Sequence, residues 1–363
     1  MLQVRPPVSH LAGLEPYDPK YLPARVYLNA NENPCDPSAE LRAELAQLAK
    51  TLPFNRYPDP LAHDLCAAIA GVCGVSVEQV LVGNGGDELL LNLLLAYGGR
   101  ERRLLIAPPC FSSYAFDALL TTTTVVSLER TEQFWLDEDA ILQRVATGTI
   151  DLVMLASPNN PTGDCLTADF VERLLAASDA LVVIDQAYVE FAQPQFDLTG
   201  LLSRHQNLAL LRTFSKAYGL AGLRLGYLLA SPAVIAELIK VRQPYSVDSY
   251  SAAAGKAVLG HSNEVLQLAQ GIAADRDRLA GALAALPGVE VFPSEANYLL
   301  LRVAGAQELW QRLYDDFGIL LRDFSAAPGL TDCLRVSVGT PEQNQQLLQA
   351  CSLILGTLLE DRL

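Results

Sequence analysis

Short apolar runs alternate with longer amphipathic stretches through the middle of this chain, and this alternation restricts its possible folds more than any other feature. The apolar runs are Val80–Val82, Leu104–Ala107, Thr123–Leu128, Asp151–Ala156, Ala180–Ile184, Leu208–Arg212 and Leu225–Leu229. The stretches between and around them predict helices at Ala39–Lys50, Asp87–Ala96, Asp137–Ala146, Ala168–Ala177 and Pro232–Arg242. Strands and helices in this order predict a mostly parallel sheet with helices on both faces.

The pattern changes at about Ser249, where two long helical stretches begin. The strands predicted after them are Val289–Phe292, Asn297–Val303 and Cys333–Val338, and a last helix is predicted from Pro341. A chain of 363 residues, half of them apolar, is long enough to divide into two cores. We therefore expect an α/β protein with three parts, which are an N-terminal arm (1–30), a large domain (31–248) and a smaller α+β domain (249–363).

The composition argues against several classes of partner. The 26 basic residues against 41 acidic ones give a net charge of −15, which repels nucleic acid and anionic lipid. No apolar run approaches the ~18 residues of a membrane span, and the first residues lack the apolar stretch of a signal peptide. The seven cysteines form no CxxC pair and the four histidines no HExxH motif. We expect a cytoplasmic protein with neither nucleic-acid, membrane nor metal partners.

Polar segments follow four of the predicted strands, at the sheet edge where α/β proteins bind ligands. Gly83–Glu88 contains three glycines before a helix and suits a phosphate, although a plain tight turn fits it too. Ser157–Gly163 places asparagine at the same edge, where Asn-Pro is also an ordinary turn. Asp185 ends an apolar run, so its carboxylate needs a cation or a protonated nitrogen as partner, unless it caps a helix.

Lys216 is one of only five lysines and follows a strand of the buried type. A lysine in such a place tends to lose its proton, as a Schiff-base amine requires, although a surface lysine would fit the position too. Ser215 and Arg224 flank it and suit a phosphate. An anion-binding helix start, an amide, a carboxylate and a lysine together supply what a phosphorylated pyridine aldehyde needs.

Six segments of the chain resemble histidinol-phosphate aminotransferases. These enzymes depend on pyridoxal phosphate (PLP) and have the fold known as type I among PLP-dependent enzymes. They are LNANENP (28–34), RYP (56–58), PNNPTG (158–163), DQAYVEF (185–191), TFSKAYGLAGLRLGY (213–227) and LRVSVGT (334–340). The fifth is specific for the family, and the six are distributed in register along nearly the whole chain, from residue 28 to residue 340. The resemblance implies a homodimer that transfers an amino group between L-histidinol phosphate and 2-oxoglutarate, in a ping-pong cycle of histidine biosynthesis.

The resemblance also implies how the cofactor ring is held. Lys216 would bind it as a Schiff base and move the proton during transfer. Asp185 would pair with the protonated pyridine nitrogen, and Asn160 and Tyr188 would bond the phenolic oxygen. Phe111 would stack on the ring face.

A further set of residues would bind the cofactor phosphate and the substrate. The resemblance assigns the phosphate to Gly86, Asp87, Ser215 and Arg224, and to Tyr57 of the neighbouring subunit. It assigns the substrate to Tyr17, Arg322 and Arg335, because arginine forks suit both phosphate and carboxylate. The chain departs from the family at three positions, which are Gly86 in place of serine, Cys110 in place of threonine and Gln186 in place of glutamate.

Three alternatives stay open on the sequence. An aromatic amino acid aminotransferase would share the same cofactor residues. So would a threonine-phosphate decarboxylase, since the bond broken at Cα depends on its angle to the cofactor ring, which motifs do not report. A catalytically silent PLP-binding module is the third, although Lys216 is intact and the sequence shows neither a helix-turn-helix extension nor a basic patch.

Overall fold

The computed structural model of the chain describes residues 5–11, 14 and 22–360, with side chains in the last helix as far as residue 357. The strands are β1 Val26–Leu28, β2 Val80–Gly83, β3 Arg103–Ile106, β4 Thr124–Ser127, β5 Leu152–Ala156, β6 Leu181–Asp185, β7 Leu208–Thr213, β8 Gly226–Ala230, β9 Val289–Val291, β10 Tyr298–Val303, β11 Ile319–Asp323 and β12 Cys333–Ser337. The α-helices are α1 Ala39–Thr51, α2 His63–Cys73, α3 Gly85–Tyr97, α4 Ser113–Leu120, α5 Glu138–Val145, α6 Ala168–Ala177, α7 Pro232–Val241, α8 Ser249–Gly260, α9 Ser262–Ala284, α10 Ala306–Phe317 and α11 Pro341–Glu360. None of the described helices has the length and apolar character that a membrane crossing requires.

Seven strands form the larger sheet, in the order β2-β8-β7-β6-β5-β3-β4. All neighbours in it are parallel except β8, which runs antiparallel to both β2 and β7. The predicted α/β fold with a mostly parallel sheet is therefore confirmed. The carboxyl ends of β2, β5, β6 and β7 meet at one edge, which brings together the four polar segments found in the sequence.

Helices cover both faces of this sheet, and the strand β5 shows why its sequence reads as a continuous apolar run. Val153 and Leu155 pack into the core on one face, and Leu152 and Met154 into the core on the other. Every residue of β5 is buried. Period-2 alternation of polar and apolar residues is lost when both faces are covered, as is typical of parallel sheets.

The smaller sheet has the order β1-β11-β12-β10-β9 and its own apolar core against α9, α10 and α11. Its strands are antiparallel except for β1, which pairs in parallel with β11 so that Val26 lies opposite Ile319. The strand β1 belongs to the segment predicted as an arm, and the sequence pattern predicted neither β1 nor β11. The division of the chain between residues 248 and 249 stays a prediction.

Candidate active site

A cavity of about 300 Å³ lies at the carboxyl edge of the larger sheet, between it and the smaller sheet. Its lining includes eleven of the thirteen predicted site residues, namely Gly86, Asp87, Phe111, Asn160, Asp185, Tyr188, Ser215, Lys216, Arg224, Arg322 and Arg335. Tyr57 does not line this cavity. Tyr17 falls outside the described residues.

Lys216 stands just beyond the end of β7 and directs its amine into the cavity. Its Nζ donates to the carbonyl of Ala30 at 2.9 Å and lies 5.8 Å from the ring centroid of Tyr188. Burial, together with the positive charges of Arg335 and Arg224, lowers the pKa of Lys216 from 10.5 to about 8. A substantial fraction of the amine is thus neutral near pH 8, which is the form that attacks an aldehyde.

Asp185 is the last residue of β6 and is only 8% exposed. One carboxylate oxygen accepts from the N–H of Ala187 at 3.0 Å, and the other accepts from the hydroxyl of Tyr114 at 2.8 Å. Burial raises the pKa of Asp185 to about 6, although both hydrogen bonds act to lower it. Within the described part of the chain Asp185 makes no ion pair, so the site can accommodate a cationic group beside it.

The start of α3 forms an anion site at one end of the cavity. Its N-cap residue Asn84 makes no side-chain capping bond to the first turn, and Arg224 lies beside that turn with its guanidinium 2.9 Å from the carboxylate of Asp87. The helix start lies close against β8, since a Cβ on Gly226 would stand 2.8 Å from the carbonyl carbon of Gly85. Backbone N–H groups at a helix start, together with a guanidinium, bind phosphate well.

Arg322 and Arg335 form a second cationic group. They lie opposite each other on the antiparallel strands β11 and β12, so their side chains share one face of the sheet. Arg335 also donates to Oδ1 of Asn160 at 2.6 Å and to the carbonyl of Asn29 at 2.7 Å. The hairpin pairing thus brings together two arginines that are 13 residues apart in the sequence.

Tyr188 is buried and is tied to the smaller sheet through Asn31, which the sequence analysis quoted but gave no role. The Asn31 side chain donates to the Tyr188 hydroxyl at 3.0 Å, and its backbone N–H donates to Oγ of Ser337 at 2.8 Å. Asn297 donates to the carbonyl of Asn31 at 3.1 Å. Burial raises the pKa of Tyr188, so its hydroxyl stays protonated and can donate to an oxygen in the cavity.

Tyr114 is the second residue that the sequence analysis did not identify. It is fully buried behind the cavity wall and lies edge-on to Phe111, with ring centroids 5.7 Å apart. Its partner Asp185 is 71 residues away in the sequence, and no local pattern links the two. Only the packing of α4 against the sheet could reveal this contact.

The three departures from the family pattern have defined surroundings. A Cβ on Gly86 would have its nearest neighbour, Leu211, at 3.6 Å, so the position has room for a small side chain. Cys110 lines the cavity, and burial raises the pKa of its thiol to about 12. The side-chain oxygen of Gln186 accepts from Nη2 and Nε of Arg212, at 2.8 and 3.3 Å.

Tyr57 lies on the surface, where 82% of it is exposed. Its ring stacks on Tyr245, with centroids 4.6 Å apart, and Phe54 nearby in sequence is also exposed. This concentration of exposed aromatic side chains is unusual for a surface that faces only water.

Comparisons with known proteins agree in pointing to one family. The sequence model of the family described as "Aminotransferase class I and II" matches residues 24–351. Histidinol-phosphate aminotransferase 1 of Carboxydothermus hydrogenoformans is 41% identical over 95% of this chain and 97% of its own length. The crystal structure of histidinol-phosphate aminotransferase from Sinorhizobium meliloti in complex with pyridoxal-5'-phosphate superimposes with a TM-score of 0.89, at 26% identity, over 96% of this chain and 97% of that one. L-threonine-O-3-phosphate decarboxylase from Porphyromonas gingivalis gives a TM-score of 0.81 at 27% identity, over 92% and 99% of the two chains.

Proposed function

The chain belongs to the aminotransferase class I and II family, and from this premise we propose that it works as a histidinol-phosphate aminotransferase. It transfers the amino group between L-histidinol phosphate and 2-oxoglutarate in a ping-pong cycle, as a step of L-histidine biosynthesis. The observation that carries the substrate assignment is the pairing of Arg322 with Arg335 on the wall of the cavity that contains Lys216.

Pyridoxal phosphate is the cofactor of this family, and the cavity offers a partner for each of its reactive groups. The amine of Lys216 has a lowered pKa and suits the aldehyde. Asp185, a buried carboxylate without an ion-pair partner in the described part of the chain, suits the ring nitrogen. The uncapped start of α3 with Arg224 suits the phosphate. When bound, this cofactor withdraws electrons from the substrate carbon that loses a proton.

Within this proposal each residue has a defined task. Lys216 carries the cofactor and moves the proton at the substrate Cα, while Asp185 keeps the ring nitrogen protonated. Asn160 and Tyr188 hold the phenolic oxygen and Phe111 covers the ring face. The phosphate is held by the side chains of Ser215 and Arg224 and by the backbone of Gly86 and Asp87.

Arg322 and Arg335 bind the anionic end of each amino donor in turn. L-Histidinol phosphate carries a phosphate and glutamate carries carboxylates, and an arginine fork forms paired hydrogen bonds with either. One cationic wall can therefore serve both half-reactions. Tyr17 completes the substrate contacts in this proposal.

The arginine pair provides the first test. Full-length protein with PLP is mixed with L-histidinol phosphate or with glutamate, and the half-reaction is followed by the cofactor spectrum. Arg322→Lys and Arg335→Lys should each raise KM for both donors by about tenfold or more, because lysine cannot form the paired bonds. Arg312→Lys on α10, where the arginine contacts Thr357, is the matched control and should leave KM unchanged. Unchanged KM values in both cavity variants would contradict the substrate assignment.

The same half-reaction assay with other amino donors, together with a measurement of carbon dioxide release, separates the alternative reactions. A response to phenylalanine or tyrosine without one to L-histidinol phosphate would indicate an aromatic aminotransferase. Release of carbon dioxide from threonine phosphate without a keto acid would indicate a decarboxylase.

Lys216→Ala should abolish the half-reaction, whereas Lys240→Ala, which removes an exposed lysine paired with Glu237, should retain it.

We also propose that the protein is a homodimer in which Tyr57 reaches the cofactor phosphate of the partner subunit. Support comes from the exposed stack of Tyr57 on Tyr245, which suits an apolar interface.

Mixing two inactive variants tests this arrangement. If Tyr57 acts across the interface, a dimer of one Tyr57→Ala chain and one Lys216→Ala chain contains one intact site. Random exchange then restores about a quarter of the wild-type sites. No recovery after verified subunit exchange would place Tyr57 in its own subunit's site, and full activity of Tyr57→Ala alone would place it outside any site.

A cytoplasmic location completes the proposal. All seven cysteines are free thiols, four of them at least partly accessible, as is usual in a reducing compartment. Fractionation of the producing cell would test it, and recovery outside the cytoplasm would refute it.

A further inference from the structure

Among the described residues, Tyr114 is the only one whose side-chain hydroxyl donates a hydrogen bond to the carboxylate of Asp185. It lies in the first turn of α4 and is 0% exposed, so it touches neither solvent nor the cavity. Its hydroxyl can therefore act on a bound molecule only through a neighbour. The neighbour it reaches is Asp185, at 2.8 Å.

The two hydrogen bonds of Asp185 come from different directions and use different oxygens. The N–H of Ala187 holds one oxygen and the Tyr114 hydroxyl holds the other. Each carboxylate oxygen has a second lone pair, so a third donor can still approach. Together the two bonds restrict the rotation of the carboxylate, and Asp185 lines the cavity.

A hydroxyl donor stabilises a carboxylate ion more than it stabilises the neutral acid, because the bond is charge-assisted. Burial works in the opposite direction and favours the neutral acid of Asp185. Burial and the adjacent carboxylate also raise the pKa of Tyr114 far above its usual range, so the phenol keeps its proton and remains a donor. The Tyr114 hydroxyl therefore donates to Asp185 wherever the carboxyl is ionised, which is above its pKa of about 6.

We propose that Tyr114 is a positioning residue, whose hydroxyl keeps Asp185 ionised and oriented toward the ring nitrogen of the cofactor. Tyr114 also supports Phe111 edge-on, so one side chain braces both the carboxylate and the aromatic ring assigned to the cofactor face. The inference rests on the proposed role of Asp185 and extends it to a residue outside the cavity.

The test compares two ligands that differ only at the ring nitrogen. Cofactor-free full-length protein is titrated by calorimetry with PLP and with 1-deaza-PLP, in which a C–H group replaces that nitrogen. Only the PLP complex needs an ionised Asp185, so the ratio of the two Kd values measures how well the carboxylate is held. Tyr114→Phe keeps the ring and removes the hydroxyl. It should weaken PLP binding about tenfold while changing the affinity for the analogue much less.

A purely structural role would move both affinities together and leave the ratio unchanged, and that result would overturn the inference. Tyr227→Phe is the matched control. Tyr227 is a buried tyrosine on β8 of the larger sheet, and its hydroxyl lies 3.9 Å from Sγ of Cys73 and makes no bond to Asp185. Its removal should leave the ratio at the wild-type value. Thermal unfolding of each variant verifies that the fold is retained.

Asp185→Asn separates this inference from the proposal on which it rests. If Asp185→Asn abolishes the preference for PLP but Tyr114→Phe retains it, Tyr114 has no positioning role and Asp185 keeps its own. If Asp185→Asn leaves the preference intact, the assignment of Asp185 to the ring nitrogen fails, and the role of Tyr114 fails with it.

Discussion

The lowered pKa of Lys216 gives a prediction that can be measured without the cofactor. A pKa of about 8 instead of 10.5 raises the neutral fraction at pH 7.5 from about 0.1% to about a quarter. Because only the neutral amine attacks an aldehyde, its reactivity should rise with pH and level off above a midpoint near pH 8. An ordinary lysine would still be gaining reactivity beyond pH 10.

Competitive reductive methylation measures this midpoint. Cofactor-free full-length protein is treated briefly with formaldehyde and cyanoborohydride between pH 6 and 11, and the modification of each lysine is read by peptide mass spectrometry. The chain supplies its own references, since Lys240 and Lys256 are exposed in the same molecule. Each pH profile is scaled to its own plateau, so that the midpoint is compared rather than the absolute rate.

Removal of the neighbouring positive charge of Arg335 tests the cause of the lowered pKa of Lys216. Burial is the largest contribution to the shift and the charge of Arg335 is the next. Arg335→Met should therefore move the midpoint of Lys216 upward by up to about one pH unit, while a large part of the shift remains. A wild-type midpoint above pH 10 would refute the argument that the cavity lowers the pKa of this amine. A downward movement in Arg335→Met would refute the assignment of its cause.

Three further predictions follow from the packing around the site. Gly226→Ala should weaken PLP binding at least about tenfold in equilibrium dialysis, because the new methyl group would displace the start of α3. Gly222→Ala is the control, since its methyl group would face open space and should leave the affinity for PLP unchanged. Equal affinities of the two variants for PLP would contradict this reasoning. Gly86→Ser should fit without loss of thermal stability. It should tighten PLP binding about fivefold, because the serine hydroxyl adds one hydrogen bond to the cofactor phosphate. Weaker PLP binding would argue against a phosphate at this position. Arg130→Met should lower the free energy of unfolding by about 3–5 kcal/mol in urea, since it removes the ion-pair partner of the partly buried carboxylate of Asp164 and the side-chain donor to two carbonyls. A loss below about 1 kcal/mol, the usual value for an exposed ion pair, would contradict that reasoning.

Much of the fold follows from local pattern. The seven strands of the larger sheet were predicted within one residue of their observed ends, because most of them are covered on both faces and read as short apolar runs; the edge strand β4 is only partly buried. The strands β1 and β11 escaped prediction. β1 has only three residues and lies in a segment that was predicted as an arm; it pairs along the edge that β11 offers.

The residues of the candidate site likewise divide into those that the sequence identified and those that it did not. Lys216 and Asp185 could be identified from the sequence because each follows a strand that predicts burial, and polar residues at such ends face the ligand edge of the sheet. Asn31 and Tyr114 could not be given a role, since each acts on a residue far along the chain, at separations of 157 and 71 residues.

The sequence by itself determined most residue types of the site, the order along the chain of the strands of the larger sheet, and the family. These depend on composition and short-range periodicity, which a single chain displays directly. Only the tertiary structure decided that Arg322 stands opposite Arg335 and that Tyr114 reaches Asp185. Strand register and helix packing fix such contacts, and they result from burial over the whole molecule rather than from any local run of residues.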